Sequence, residues 1–219
     1  LRRYTRILKN INYMNDDQIE KFITVVTALA RRTLSEHRYE HSCRVAAFAE
    51  GLAQRYGYGR RTQRLCYLAG ISHDIYKEKP VSFLLRTVQA DGQPVSPEER
   101  GNSALLHGRA AAVLLQERFG IHKKSLLHAV RYHTSASAKF DAVGKMLYIA
   151  DKIEPGRKQC GHLRDKVKEL SLDALFLAVL QDAIDFLESK GRNVLSCTYH
   201  AYRYMRTKAQ LQGLKELIR

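Results

Sequence analysis

Apolar residues recur at three- and four-residue intervals along almost the whole chain, and no segment alternates convincingly with the two-residue period of a half-buried strand. That pattern confines the fold to packed helices, because each apolar stripe has to be buried against another element. From Asp16 onward, Ile19, Phe22, Ile23, Val26, Ala30 and Leu34 mark one face over several turns, with Asp16 or Asp17 suited to the N-terminus. A second helix is expected over 38–56, with Val45, Phe48, Ala49 and Leu52 facing inward and Gly57 and Gly59 closing it. A third runs over 60–74 through Leu65, Leu68, Ala69 and Ser72 to the pair His73-Asp74. Pro80 opens a short helix at its first turn. Residues 91–102, with Gly92, Pro94, Pro97 and Gly101, read as a loop. Further helices are expected over 108–119, 123–132, 141–153, 172–189 and 198–218. The chain shows no internal repeat, so the expectation is all-α: a single helical domain over 16–219. Residues 1–15, with Arg2, Arg3, Arg6 and Lys9, read as a basic arm outside it or the remnant of a preceding domain.

At 219 residues and 45% hydrophobic content there is material for one well-buried core. The longest apolar stretch, 22–30 between Lys21 and Arg31, is far short of the ~20 residues needed to cross a bilayer. Cys43, Cys66, Cys160 and Cys197 are widely spaced and form no paired motif, which argues against a zinc ribbon or a disulfide framework and fits a reducing cytoplasm. The formal net charge of +15 draws polyanions, whether nucleotides, nucleic acid or anionic lipid.

Six positions place metal-binding side chains on or beside apolar helices. His41 precedes Val45 and Phe48 by four and seven residues and shares their inward face. His73 and Asp74 end an apolar helix, His133 ends the helix holding Leu126, Leu127 and Val130, and Asp151 follows Met146, Leu147, Ile149 and Ala150. His107 lies just before Gly108, where a helix is expected to begin. A lone inward histidine is most often a hydrogen-bonded core residue. A carboxylate deep in an apolar helix is costly unless paired or bound to a cation, and Asp74 and Asp151 both make that demand. Imidazole and carboxylate without thiolate suit Fe, Mn or Co, or Mg, better than a structural zinc.

The order His41, His73-Asp74, His107, His133, Asp151 resembles the six-residue signature of HD-domain phosphohydrolases. The surrounding words are more specific: RYEHS over 38–42, SHDIYKEKP over 72–80, LHG over 106–108, YHT over 132–134 and ADKIEPGR over 150–157. Together they resemble the bacterial YqeK family, whose members hydrolyse diadenosine tetraphosphate symmetrically to two ADP, and the likeness spans roughly 17–204. The resemblance implies an HD-domain helical bundle with His41, His73, Asp74 and Asp151 as metal ligands, most often for iron. It implies that His107 and His133 touch the substrate phosphates or bind a second metal. Arg38, Lys77, Lys79 and Arg157 match nucleotide-phosphate contacts, Lys152 lies beside them, and 194–198, from Val194 to Thr198, matches a late stretch closing over the nucleoside. One departure follows YHT, where the family's Thr-Gly-like turn is replaced by Ser135-Ala136-Ser137-Ala138-Lys139.

The expected chemistry is attack of a hydroxide, formed on the ion at about neutral pH, on an internal phosphorus of the tetraphosphate. ADP leaves as a stable anion, so charge neutralisation matters more than proton donation. Lys77, one turn past the His-Asp pair, and Arg157, just past Asp151, are placed to supply it, with Asp74, His107 and His133 completing the catalytic set. Two rivals stand beside this reading. Another HD-domain activity, on nucleoside mono- or triphosphates or cyclic nucleotides, would keep the metal site and change the pocket. A nucleic-acid-binding module would use the +15 charge, but the basic residues are dispersed and no known motif accompanies them. The expected partner is a small-molecule nucleotide, no membrane is implied, and a homodimer is compatible with the fold.

Overall fold

The computed structural model describes residues 14–217, among which it forms eleven α-helices, three short 3-10 turns and no strand. In chain order the helices are α1 (Asp16–Thr33), α2 (Glu36–Arg55), α3 (Arg60–Ser72), α4 (Val81–Val88), α5 (Pro97–Gly101) and α6 (Ser103–Glu117). They continue as α7 (Lys124–Tyr132), α8 (Ala142–Ile153), α9 (Gly161–Asp165), α10 (Leu172–Ser189) and α11 (Ser196–Leu217). None of the described helices is long and apolar enough to cross a membrane.

Local chemistry accounts for the helix ends. Asn15 rather than either aspartate caps α1, in a reciprocal box with Gln18, while Asp16 and Asp17 occupy the first turn near the positive end of the helix dipole. Ser35, Asp141 and Ser171 cap α2, α8 and α10 by accepting a backbone N–H two or three residues into the helix. Gly57 turns the chain out of α2 at φ +73, whereas Gly59, at φ −62, caps α3 instead of closing α2. Pro80 stands at the N-cap of α4, one residue before the helix. The expected loop over 91–102 contains the short helix α5, started by a Ser96/Glu99 capping box with Pro97 at the first helical position. The helix expected over 108–119 begins earlier, at Ser103, because Asn102 caps it; His107 therefore sits inside α6 and not ahead of it. Of the expected basic arm, residues 1–13 lie outside the described part, while Met14 is buried in the core and Asn15 caps α1.

Helices α2, α3 and α8 pack on one another around the main core, α1 covers α3, and α10 lies across α8 with α11 on its far side. On the other flank α6 pairs with α7 and α4, enclosing a smaller cluster of Leu84, Val88, Leu106 and Ala110. The segment leading into α5 is tied down by a buried cation. Arg109, 1% exposed, spends its five N–H donors on Asp91 (2.9 and 2.7 Å), Glu99 (2.9 Å) and the carbonyls of Gln93 (2.7 Å) and Pro94 (3.2 Å). Arg131 adds a bond to Asp91 at 2.8 Å.

Burial alone would raise the Asp91 carboxyl, but hydrogen bonds from Arg109, Gln93 and Arg131 outweigh it and hold the group at about 2. The folded value lies below the ordinary 3.8, so this contribution is complete above about pH 4 and vanishes as pH falls through about 2. It amounts to about 2 kcal/mol. Asp91→Asn is therefore expected to lower stability by about that much at pH 7 and to match wild type more closely near pH 2, as urea denaturation at the two pH values will show.

Candidate metal centre

Six side chains from five places in the fold meet at the junction of α2, α3, α6, α7 and α8. His41 comes from the second turn of α2, His73 caps the C-terminus of α3 with Asp74 next to it, His107 lies within α6, His133 caps α7, and Asp151 lies near the end of α8. All six are buried, from 0% exposed at His73 to 6% at Asp151. The approach of α6 to the end of α7 depends on Gly108. A Cβ there would come within 2.9 Å of the Val130 carbonyl, 3.0 Å of the Arg131 carbonyl and 3.1 Å of the His133 ring.

Asp74 is the hinge of the arrangement. Its Oδ2 lies 3.5 Å from His73 Nε2, 3.9 Å from His41 Nε2 and 3.0 Å from Arg38 Nη1. Its Oδ1 lies 3.0 Å from His107 Nε2 and 3.5 Å from His133 Nε2. Asp151 Oδ1 lies 3.2 Å from His41 Nε2 and 3.7 Å from His73 Nε2. Two sets of donors result, each close enough to hold one cation: His41, His73 and Asp151, and His73, Asp74 and His133. The expected quartet is thus brought to one place, with Asp74 grouped alongside His133 as well.

The nitrogen donors fit a metal. His73 Nδ1 donates to the Gly70 carbonyl at 2.6 Å, so the neutral ring carries its lone pair on Nε2. That Nε2 is buried and makes no hydrogen bond. A polar atom in this position is costly unless a cation meets it. His133 Nδ1 likewise donates to the Val130 carbonyl at 2.8 Å and turns its Nε2 lone pair inward. Burial pushes the His133 imidazolium down to about 4, against the pull of Asp74, so the ring is neutral at pH 7. The two carboxylates behave in the opposite way. Burial would raise both, but imidazoles and, at Asp151, the Lys152 charge outweigh it and hold Asp74 and Asp151 well below the usual carboxylate range. The result is an ionised acidic centre lined by imidazole nitrogens.

A ring of cations surrounds it. Lys152 Nζ lies 2.7 Å from Asp151 Oδ2, Arg157 Nη2 lies 3.2 Å from Asp151 Oδ1, and Lys77 Nζ lies 3.5 Å from His107 Nε2. Burial pulls the Lys77 ammonium below its ordinary range, opposed by the charges of Asp74 and Asp151. The Nε atoms of Arg38 and Arg157 are buried without a partner. Lys79 and Val194 are half-buried, and no hydrogen bond ties either one to the cluster. Thr198 is buried and gives its hydroxyl proton to the Ser135 carbonyl at 2.7 Å, bracing the turn after His133. In that turn Ala136 holds φ +63, in the left-handed region that favours glycine.

Two residues absent from the sequence reading border the site. Glu154 accepts from His41, and Arg44 is paired with Glu154. A signal was present for Glu154, which stands three residues after Asp151 and so shares its side of the helix end.

The family described as HD domain matches residues 38–156. The symmetrical bis(5'-nucleosyl)-tetraphosphatase of Bacillus subtilis is 29% identical over 180 residues, covering 81% of this chain and 94% of that protein. The protein of the same name from Staphylococcus aureus is 32% identical over 186 residues, 80% of this chain and 90% of that one. A crystal structure named as a predicted HD superfamily hydrolase involved in NAD metabolism, from Clostridium acetobutylicum, is 31% identical. It aligns with a TM-score of 0.76 over 84% of this chain and 97% of that chain.

Proposed function

The chain belongs to the HD-domain family, and on that premise we propose that it is a symmetrical bis(5'-nucleosyl)-tetraphosphatase, a metal-dependent hydrolase dividing diadenosine tetraphosphate into two ADP. The observation that carries the reading is a buried, ionised acid–imidazole cluster ringed by four cations, two of which keep an unspent N–H. His41, His73, Asp74 and Asp151 would hold the ion; their nitrogen and oxygen donors suit iron, with manganese or cobalt as substitutes. When bound, the ion supplies Lewis acidity at the phosphoryl group and eases deprotonation of water at neutral pH.

The protein's own groups supply charge and position. Arg38 and Arg157 each rest one arm on a carboxylate and keep Nε for a phosphate oxygen. Burial lowers the Lys77 ammonium from its ordinary range, and an anionic phosphate beside it would favour the charged form. Lys152 and Lys79 extend the positive border along the phosphate chain. ADP leaves without needing a proton, so neutralising the oxygens dominates the barrier. Thr198 acts on the site through Ser135, and Val194 belongs to the wall for the nucleoside. At His133 one observation favours a second ion shared with Asp74: Nδ1–H is committed to Val130, so Nε2 offers a lone pair and no proton to a phosphate oxygen.

Chromatography of the products tests the function. ADP as the sole nucleotide product is expected; AMP with ATP would mean asymmetric cleavage and overturn the assignment. Lys77→Met is expected to lower kcat by roughly a hundredfold with a small change in KM and unchanged metal content.

A further inference from the structure

His41 is held differently from His73 and His133. His73 and His133 each donate Nδ1–H to a neutral carbonyl three residues earlier on the same helix. His41 Nδ1 instead lies 3.1 Å from Oε1 of Glu154, on a different element. Glu154 is 1% exposed. Its other oxygen accepts from Arg44 Nε at 2.8 Å and from the Gly156 N–H at 2.5 Å. Paired with Arg44, Glu154 is a carboxylate and can only accept, so the proton between it and His41 belongs to Nδ1.

We propose that Glu154 is a positioning residue of the metal centre: it fixes the Nδ1–H tautomer of His41, so that Nε2 presents its lone pair to the ion. The inference rests on the metal-hydrolase reading. A carboxylate behind a ligand histidine sets its ring orientation and raises its basicity, as second partners of metal ligands commonly do. The same carboxylate anchors the turn that carries Arg157. Gly156 N–H bonds to its side chain, and Arg157 N–H donates to its backbone carbonyl at 2.9 Å. The turn is packed against this pair too closely for a side chain, since a Cβ on Gly156 would lie 2.7 Å from Arg44 Nε and 2.9 Å from Glu154 Oε2. One carboxylate therefore sets both a ligand and the arm that grips phosphate.

Glu154→Gln separates this role from simple bracing. Arg44 and Gly156 are donors and claim the amide oxygen, so the amide NH2 faces His41 Nδ1 and drives the ring proton to Nε2, where it blocks ligation. Titration of the apo-protein with Co2+, followed by visible d–d absorption, is expected to show a dissociation constant raised roughly 10- to 100-fold and an altered band shape. Gly156→Ala, which keeps the Glu154 carboxylate but crowds both it and Arg44, is expected to weaken Co2+ by a smaller factor. Wild-type affinity and band shape in both variants, whatever their melting temperatures, would overturn the proposal and leave Glu154 as a brace. If wild type itself binds no Co2+, the hydrolase reading fails, and the inference with it.

Discussion

Asp74→Ala is expected to lower kcat for diadenosine tetraphosphate on the order of a thousandfold, about 4 kcal/mol of barrier, and to strip bound metal from the purified protein. The size follows from the double role of the carboxylate. Oδ2 faces His41, His73 and Arg38, while Oδ1 faces His107 and His133, so one deletion removes a charge from both donor sets at once. It also leaves the buried Nε2 atoms of His107 and His133, 3.0 Å apart, without their anion, which disorders the centre beyond the loss of one ligand. Metal analysis beside single-turnover kinetics will check this, with circular dichroism to confirm the fold. A variant that retains wild-type metal and loses less than tenfold in rate would remove Asp74 from the centre. Two ions per wild-type chain, both lost in the variant, would support the shared-ligand arrangement at His133.

The second large effect lies outside the expected ligand quartet, at Arg109 of α6, which holds Asp91. Replacing it with methionine is expected to cost about 3–5 kcal/mol, because truncating one partner of a buried charge network leaves the others unpaired. Glu99 would lose its buried cation, and the carbonyls of Gln93 and Pro94 would lose their donors, while Asp91 would keep only Arg131 and the Gln93 N–H. For a chain of this length, that corresponds to a fall in Tm of roughly 10 °C. The methionine fills the stem's volume, so the loss reports the guanidinium and not a cavity. A Tm within about 2 °C of wild type would mean the segment holds without its clamp.

Much of the helical layout was legible because amphipathic spacing is a local property. Helix α10 has the expected bounds, Leu172–Ser189, and α7 and α8 differ from expectation by a single residue at the start. Misreadings occurred where a cap decided the boundary. Asn102 pulled α6 five residues upstream and carried His107 into the helix, and Ser96 with Glu99 built α5 inside a segment rich in glycine and proline. A capping side chain acts over three residues, too short a span for hydrophobic period to register.

The candidate site divides along the same line. By itself the sequence determined the helical class and the identity of the six metal-type residues, since an imidazole or carboxylate on an apolar helix face is conspicuous wherever that helix is later packed. Only the tertiary structure decided which oxygen of Asp74 faces which histidine, that Glu154 stands behind His41, and that Arg109 is a buried clamp and not a surface charge. Except for the adjacent His73, those outcomes depend on partners 10 to 113 residues distant in the chain, whose approach is set by the packing of α2, α3, α6, α7 and α8. Helical period specifies the face on which a residue lies. Its partner across that face is chosen when the helices dock, because burial makes each polar group take whichever donor or acceptor the docking brings within reach.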